Sequence, residues 1–202
     1  STYPCYVGLD LANKLDVAAI LAAFDVEGMI YYKCWFFLPE ESIFNKSRSI
    51  GNLYDTWAKQ NHLILTDGNI IDHEVIEQYL REILSTYEVN SVAYDPWGST
   101  QLAVRMLEEG APMVELPQTV KNLSESMKHI EACVLSEKLV RDGNPMMDWM
   151  ASNVVAKIDK NENVFPNKEH PDNKIDGMVA LFNAVNRLIV NEESPTPGIL
   201  VI

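Results

Sequence analysis

The first third of the chain is dominated by near-continuous runs of apolar and β-forming residues. Three such runs cover residues 3–11, 17–24 and 29–37, and the segment Asp25-Val-Glu-Gly28 between the second and third runs has the composition of a tight turn. Runs of this length, without the 3.6-residue period of a helix, are typical of buried strands. The pattern therefore predicts three sequential strands in an antiparallel meander.

After residue 38 the apolar positions take on a helical period, interrupted by short β-rich runs. Pro39 precedes two glutamates, as at a helix N-terminus, and Asp72 precedes a run with apolar residues at helical spacing. These signals predict helical structure over about 40–60, after Asp72, over about 99–109, through 123–135, after Pro145 and over about 173–190. Strands are predicted at 89–94 and 112–116, and a hairpin around 160–162.

This order of elements predicts the fold class. Three sequential strands followed by alternating helices and strands give an α/β fold whose mixed sheet combines an antiparallel meander of three strands with parallel strands, and helices cover both faces. We interpret residues 1–193 as one domain. Residues 194–202 begin with Ser194-Pro-Thr-Pro-Gly198 and are predicted to be a linker-like tail.

Composition removes several classes of protein. No apolar run approaches the roughly 18 to 20 residues of a membrane helix, and no signal peptide is visible. Cys5, Cys34 and Cys133 are far apart in the sequence and are predicted to be buried thiols of a reducing cytosol, not a disulfide framework or a zinc site. Because the first residue is Ser1 and not Met, we expect the chain to be a piece of a longer or processed protein.

The net charge of −13 argues against simple nucleic-acid binding, which depends on Lys and Arg at phosphates. The charge is unevenly distributed, however. Residues 1–120 carry 7 basic and 17 acidic side chains, whereas residues 121–174 carry 8 and 9. A phosphate-facing surface is therefore predicted in the second half of the chain, around Lys121, Lys128, Lys157, Lys160 and Lys174.

Three aspartates occupy positions that favour metal chemistry. Asp10 ends the first predicted strand, Asp95 ends the strand at 89–94, and Asp176 lies in the first turn of the last helix. Singly, each of them could cap a turn or complement a helix dipole. Adjacent parallel strands that end together would nevertheless bring Asp10 and Asp95 close, and a helix that crosses the sheet could add Asp176.

Clustered carboxylates repel one another and are partly neutralised unless cations join them. Their hard oxygen atoms suit Mg²⁺ or Mn²⁺. Two such ions about 4 Å apart can activate a water and stabilise the leaving oxygen in phosphodiester hydrolysis. The three aspartates therefore indicate a hydrolytic metal site.

Four segments carry a specific resemblance. They resemble, in order, the three acidic motifs in the nuclease domains of tailed-phage terminase large subunits, and the first two segments together correspond to the first motif. The segments are Gly8-Leu-Asp-Leu-Ala12, Asn13-Lys-Leu-Asp-Val-Ala18, Ala93-Tyr-Asp-Pro-Trp97 and Lys174-Ile-Asp-Gly-Met-Val-Ala-Leu181. The likeness extends over about residues 5–190. It implies a ribonuclease H-like endonuclease that cuts double-stranded DNA, a concatemeric viral genome, during packaging. It also implies that Asp10, Asp95 and Asp176 are the catalytic ligands of two Mg²⁺ or Mn²⁺ ions.

The resemblance also implies partners and a location. Nothing in this chain matches the phosphate-binding loop of a packaging ATPase, so that domain is expected N-terminal to Ser1 in the full protein. The portal and the small terminase subunit are the other expected partners. The setting implied is the cytoplasm of an infected bacterial host, without a role for a membrane.

Several residues near the three motifs are accessory candidates. Asp16 matches a recurrent aspartate of the family's first motif, and we expect it to hold a metal-bound water or to fix a turn by accepting backbone N–H bonds. Lys174 is expected to meet a phosphate or a carboxylate in the site, because a lysine at a helix N-terminus opposes the helix dipole. His170 is a candidate proton shuttle. Tyr94 and Trp97 are expected to pack in the core, with stacking on DNA as the alternative.

Three other interpretations of the acidic motifs stay open. A resolvase or transposase-type nuclease of the same fold would share the three carboxylates. An actin-like or sugar-kinase-type nucleotide binder also opens with a strand and an aspartate, but its phosphate loop needs a glycine that is missing after Asp10. A non-catalytic module that docks on a portal or capsid would have no need of all three acids.

Overall fold

The computed structural model describes residues 3–11 and 16–192, apart from the side chains of residues 45 and 192. Its main sheet has seven strands. They are β1 (Cys5–Asp10), β2 (Ala18–Val26), β3 (Met29–Pro39), β4 (Ile64–Thr66), β5 (Val89–Tyr94), β6 (Met113–Glu115) and β7 (Leu139–Val140). Six of them run in the order β4-β3-β2-β1-β5-β6. β7 pairs with the N-terminal end of β3, whereas β4 pairs with its C-terminal end.

The predicted meander is confirmed. β1 and β2 pair antiparallel, as do β2 and β3. A two-residue loop joins β2 to β3, and both of its residues, Glu27 and Gly28, have positive φ, at 55° and 78°. This is the backbone of a turn whose twist matches that of the strands it connects. The Asp25 side chain accepts the Gly28 N–H at 2.9 Å, so the sequence Asp25-Val-Glu-Gly28 specifies the turn.

The parallel part of the sheet is also confirmed, and it contains two strands that the hydrophobic pattern did not predict. β5 lies parallel to β1, and β6 lies parallel to β5. The unpredicted strands β4 and β7 pair parallel with β3 and have three and two residues. Segments this short show no period of their own, and their pairing depends on the edge that β3 offers.

Six α-helices accompany the sheet in the described residues. They are α1 (Arg48–Lys59), α2 (His73–Thr86), α3 (Pro96–Glu108), α4 (Val120–Leu135), α5 (Pro145–Asn153) and α6 (Asp176–Glu192). A 3₁₀ helix at Glu40–Asn45 precedes α1, so the segment predicted as mostly helical contains both forms. A separate hairpin is formed by β8 (Val155–Ile158) and β9 (Val164–Asn167), as predicted.

The local helix-start signals act as the sequence indicates. The Asp72 carboxylate accepts the Glu74 N–H at the start of α2. α3 begins at Pro96, but residues 97 and 98 depart from helical backbone angles, so its regular part starts at residue 99, as predicted. The last helix begins at Asp176, slightly later than the predicted start near residue 173.

Two hydrophobic clusters, one on each face of the sheet, confirm that helices cover both faces. α2 and α3 pack on one face, and α1, α4, α5 and α6 pack on the other. Along β1, Cys5, Val7 and Leu9 belong to the α2 and α3 side, whereas Gly8 faces α6. A Cβ atom at Gly8 would lie 2.0 Å from the carbonyl oxygen of Ala180, so only glycine lets α6 approach β1 this closely.

The remaining predictions about composition concern burial and membranes. Cys5, Cys34 and Cys133 are buried, as predicted. Across the described residues, no helix combines the length and apolar character needed to cross a membrane. The predicted tail at 194–202 and most of the segment between Asp10 and Asp16 lie outside the described residues.

Candidate metal centre

The positions of Asp10 and Asp95 follow from the parallel pairing of β1 and β5. In that register Gly8 is level with Ala93, so Asp10 at the end of β1 and Asp95 directly after β5 both lie two residues further along, at the carboxyl ends of neighbouring parallel strands. Side chains two apart in a strand share a face. Since Gly8 faces α6, Asp10 also points to the α6 side at the carboxyl end of its strand. The structure thus brings these two predicted ligands to one edge of the sheet.

Asp176 arrives at the same edge because α6 lies across β1. It is the first residue of α6, one helical turn before Ala180, whose carbonyl touches Gly8. Next to it, Gly177 leaves no space for a side chain, since a Cβ atom there would lie 2.7 Å from the Phe36 ring. The Asp176 atom Oδ2 is buried and has no hydrogen-bond partner within the described residues. A buried carboxylate oxygen without a donor is costly, and a cation would satisfy it.

Electrostatics link the acidic side chains. Burial raises the pKa of Asp10 well above its ordinary value, and the charges of Asp176, Asp95 and Asp16 raise it further. A hydrogen bond from Gln118 Nε2 to Asp10 Oδ1, at 3.0 Å, opposes this increase. Burial and the charge of Asp16 raise the pKa of Asp176 from 3.8 to about 6. The carboxylates therefore share one electrostatic environment, in which burial and mutual repulsion keep the pKa values of Asp10 and Asp176 raised.

Asp95 has a second, structural task. Its Oδ1 accepts the Trp97 N–H at 3.1 Å and caps the start of α3, with Pro96 in the first turn. The side chain is only partly buried, so it keeps access to solvent. The cap uses one carboxylate oxygen, and the other stays available to a cation.

Asp16 and Lys174 form a salt bridge with each other. The Lys174 Nζ lies 2.5 Å from Asp16 Oδ2, and only 6% of Lys174 is exposed. Lys46 adds a longer contact of 3.7 Å to Asp16 Oδ1, which also accepts the Val17 N–H at 3.0 Å. Burial acts to raise the pKa of Asp16, but the hydrogen bond and charge of Lys174 and the charge of Lys46 outweigh it, so the pKa is lowered. The carboxylate expected to partner Lys174 is therefore Asp16, which also fixes the backbone before β2.

Some residues around the site were not singled out from the sequence. Gln118 follows β6 and holds Asp10, and the charge of Lys168 lowers the pKa of Asp176. Asn183, fully buried in α6, donates from Nδ2 to the Leu9 carbonyl at 2.9 Å and so ties α6 to the strand before Asp10. Gln118 could have been recognised from the sequence, because it is a polar residue just after a predicted strand. Nothing in the sequence points to Asn183 or Lys168.

The donor set fits a hard divalent cation, although the side chains are not closed around one. Asp10, Asp95 and Asp176 supply carboxylate oxygens, the ligands that Mg²⁺ and Mn²⁺ prefer, and the orphaned Asp176 Oδ2 is one of them. Within residues 3–11 and 16–192, no group of three or more His, Cys, Asp or Glu side chains is drawn together tightly enough to hold an ion. His170 is exposed in the loop before α6, where its carbonyl accepts the Asn173 N–H. Its role as a proton shuttle stays a prediction.

Of the five lysines predicted around a phosphate-facing surface, Lys174 is buried against Asp16, and the other four are exposed and lie on two adjoining elements. Lys121 and Lys128 belong to α4, whereas Lys157 and Lys160 belong to the hairpin of β8 and β9. The two elements are joined by a hydrogen bond of 3.1 Å from the Val164 N–H, in β9, to the Ser124 hydroxyl of α4. Gln118, which donates to Asp10, lies two residues before α4, so the N-terminal end of this helix is close to the acidic site.

Comparison with known proteins agrees with the architecture. The family described as terminase large subunit, endonuclease domain, matches residues 3–192. Protein YmfN of Escherichia coli (strain K12) is 32% identical over 204 residues, which cover 96% of this chain and 45% of YmfN. The large subunit of the terminase of Enterobacteria phage HK97 is 25% identical over 183 residues, covering 89% of this chain and 36% of that protein. The chain thus spans less than half the length of these curated relatives.

Solved structures give the same picture. The crystal structure of the HK97 bacteriophage large terminase superimposes with a TM-score of 0.84 at 25% identity, covering 93% of this chain and 40% of that chain. The large terminase nuclease from thermophilic phage G20c, with bound magnesium, has a TM-score of 0.60 at 10% identity and covers 92% and 82%. The nuclease domain of the SPP1 large terminase, with bound Mn, has a TM-score of 0.54 at 13% identity and covers 91% and 86%. At such low identity the last two confirm the fold alone.

The sequence resemblance and the predicted ribonuclease H-like fold class are both confirmed by these matches. The family match also favours a terminase over a resolvase or transposase-type nuclease. Since the match takes in Asp10, Asp95 and Asp176 and nearly the whole described chain, this protein belongs to the family of terminase large subunit endonuclease domains.

Proposed function

We propose that this domain is a divalent-metal-dependent endonuclease that cleaves double-stranded DNA during the packaging of a viral genome. The observation that carries the proposal is the buried, unpartnered oxygen of Asp176 in a site where Asp10 and Asp176 both have raised pKa values. Buried carboxylates with raised pKa values at one edge of a sheet are typical of a site that holds a cation. Mg²⁺- and Mn²⁺-bound nuclease domains of the same fold support that interpretation.

Each residue of the site has a defined part in this proposal. Asp10, Asp95 and Asp176 would hold two cations, and Gln118 keeps the Asp10 carboxylate oriented through its 3.0 Å hydrogen bond. When bound, such cations lower the pKa of a water and stabilise negative charge on the oxygens of the phosphodiester. The salt bridge between Lys174 and Asp16 holds the segment before α6 against the residue before β2, and so positions Asp176.

The proposal is tested by supplying and withdrawing the metal. With Mg²⁺ or Mn²⁺, and without ATP, the purified 202-residue chain is expected to nick or linearise supercoiled plasmid. Ca²⁺, which is larger and more loosely coordinated, is expected to bind while supporting little cleavage. Agarose gels of the plasmid forms measure the outcome, with a matched reaction in excess EDTA as the control. Cutting that persists in EDTA would show that the aspartates are not the ligands of an essential metal.

DNA is proposed to approach over α4 and the hairpin of β8 and β9. A double variant, Lys128→Glu plus Lys160→Glu, is expected to weaken non-specific duplex binding, and log Kd should also depend less steeply on log salt concentration, because fewer counterions are released. Fluorescence anisotropy at several salt concentrations measures both quantities. Lys59→Glu is a suitable control, because Lys59 is an exposed lysine whose ion pair is with Asp55 in α1. An unchanged affinity and salt slope in the double variant would place the DNA on another face.

The wider assembly is also proposed, not established. A large terminase from a thermophilic bacteriophage was solved in complex with ATP-gamma-S, and this chain covers 39% of that longer protein. By that likeness, the full protein is proposed to carry a packaging ATPase N-terminal to this domain. It is proposed to work with the portal and the small terminase subunit in the cytoplasm of the infected bacterium.

A further inference from the structure

Trp97 is an apolar side chain left in solvent beside the candidate metal centre. Its exposed fraction is 84%, whereas Trp57 is 6% exposed and Tyr94, three residues earlier, is 4% exposed. Large aromatic side chains bury roughly 150–250 Å² each when they join a core, so leaving one outside forgoes a large stabilisation. The expectation that Tyr94 packs in the core is confirmed, but the same expectation for Trp97 is wrong.

The backbone around Trp97 holds it outward. Trp97 has ψ of 110° and Gly98 has φ of 84°, so the chain leaves the helical path for these two residues and resumes it at Ser99. Both ends of the excursion are anchored, because Tyr94 is in the core and only 1% of Ser99 is exposed. The Trp97 N–H is itself bonded to Asp95 at 3.1 Å. The indole therefore projects from a defined turn whose positive φ at residue 98 suits glycine.

The position of the turn indicates what the indole meets. Trp97 is two residues from Asp95, which directly follows β5, the parallel neighbour of the strand that ends at Asp10. A phosphodiester held at these carboxylates would bring the neighbouring sugars and bases of its strand to the same edge. Apolar and aromatic side chains in such places stack on bases or enter between base steps, and the contact does not depend on charge.

We propose that Trp97 contacts DNA bases next to the cleaved phosphodiester, as a stacking or wedging side chain. This inference rests on the proposed function, since it takes the bound polymer to be DNA. Base contact by Trp97 would complement the lysines of α4 and the hairpin. The lysines bind phosphates along the duplex, and the indole positions the strand at the carboxylates.

The test measures duplex binding by Trp97→Ala and Trp97→Phe in Ca²⁺, with a short fluorescein-labelled duplex. The alanine variant is expected to bind about tenfold more weakly, as for loss of one base–aromatic contact, while phenylalanine retains most of the affinity. The salt dependence of log Kd should stay the same as in the wild type, because the indole neutralises no phosphate. Leu107→Ala is the matched control, since Leu107 is 48% exposed near the other end of the same helix, α3, and should not affect binding.

Three results would overturn the inference. They are wild-type affinity in Trp97→Ala, a shallower salt slope in that variant, or a loss of affinity matched by an equal loss in Leu107→Ala. Unchanged DNA binding with loss of binding to a partner protein would assign Trp97 to a protein interface and would equally refute base contact. If the wild type itself binds no duplex, the proposed function fails together with this inference. If the wild type binds and cuts but Trp97→Ala matches it, only the role of Trp97 fails.

Discussion

Replacing Asp95 with asparagine is expected to abolish plasmid cleavage while the fold stays intact. The substitution removes one of the three carboxylate charges proposed to hold the cations. A loss of at least about 100-fold is expected, the upper end of what removal of a group that merely supports a metal ligand costs. The fold should survive because the same side chain caps α3 through its bond to the Trp97 N–H, and asparagine is an equally good N-cap.

Asp72→Asn provides a matched control for this prediction. Asp72 caps α2 just as Asp95 caps α3, by accepting the Glu74 N–H at 2.8 Å, but it is not among the residues that raise the pKa of Asp10. Both variants should melt within a few degrees of the wild type in circular dichroism, and only the variant at Asp95 should lose Mn²⁺-dependent cutting. Wild-type cleavage by Asp95→Asn would remove Asp95 from the metal ligands.

Replacing Asp176 with asparagine is expected to have opposite effects on activity and on stability. Cleavage should be lost, but the metal-free protein should become more stable at neutral pH. The pKa of Asp176 is raised in the folded state from 3.8 to about 6 by burial and by the charge of Asp16. A shift of this size corresponds to roughly 2 to 3 kcal/mol of unfavourable ionisation. The helix-dipole interaction that the substitution gives up contributes only about 0.3 to 1 kcal/mol.

The pH dependence of stability follows from the same shift. The folded state holds the Asp176 proton more tightly than the unfolded state does. The stabilisation that this protonation gives the folded state is fully present below about pH 4. It is lost as pH rises through about 6. The raised pKa of Asp10 acts in the same direction. Wild-type protein in EDTA should therefore lose stability between about pH 4 and pH 6, and Asp176→Asn should lose less.

Thermal melts in EDTA and in Mn²⁺ measure both effects. Mn²⁺ should raise the melting temperature of the wild type, because a ligand that binds only the folded state stabilises it. It should do so much less for Asp176→Asn. Asp148→Asn serves as a control. Asp148 is also an acidic residue in the first turn of a helix, α5, but its side chain pairs with Arg141 on the surface. A lower metal-free melting temperature in Asp176→Asn would show that this carboxylate is not electrostatically strained.

Much of the architecture could be predicted from local sequence, because the signals and the structures they specify lie within a few residues of each other. The turn Asp25-Val-Glu-Gly28 is set by its own side chain and by a glycine with positive φ. The caps at Asp72 and Asp95 work through donors two residues away. The three acidic motifs were recognisable for the same reason, since each is a short continuous segment.

Only the tertiary structure decided which of these segments meet. Asp10, Asp95 and Asp176 come to one edge because β1 and β5 pair in parallel and because Gly8 lets α6 lie against β1. The salt bridge of Asp16 with Lys174 joins residues 158 positions apart. Trp97 was expected in the core because aromatic residues favour burial, yet the anchors on either side of it turn it outward. The sequence by itself determined most of the elements, their caps and the chemical types of the site residues. The short strands β4 and β7, the burial of individual side chains and the electrostatic coupling of the carboxylates depend on contacts between distant segments, which no local pattern encodes.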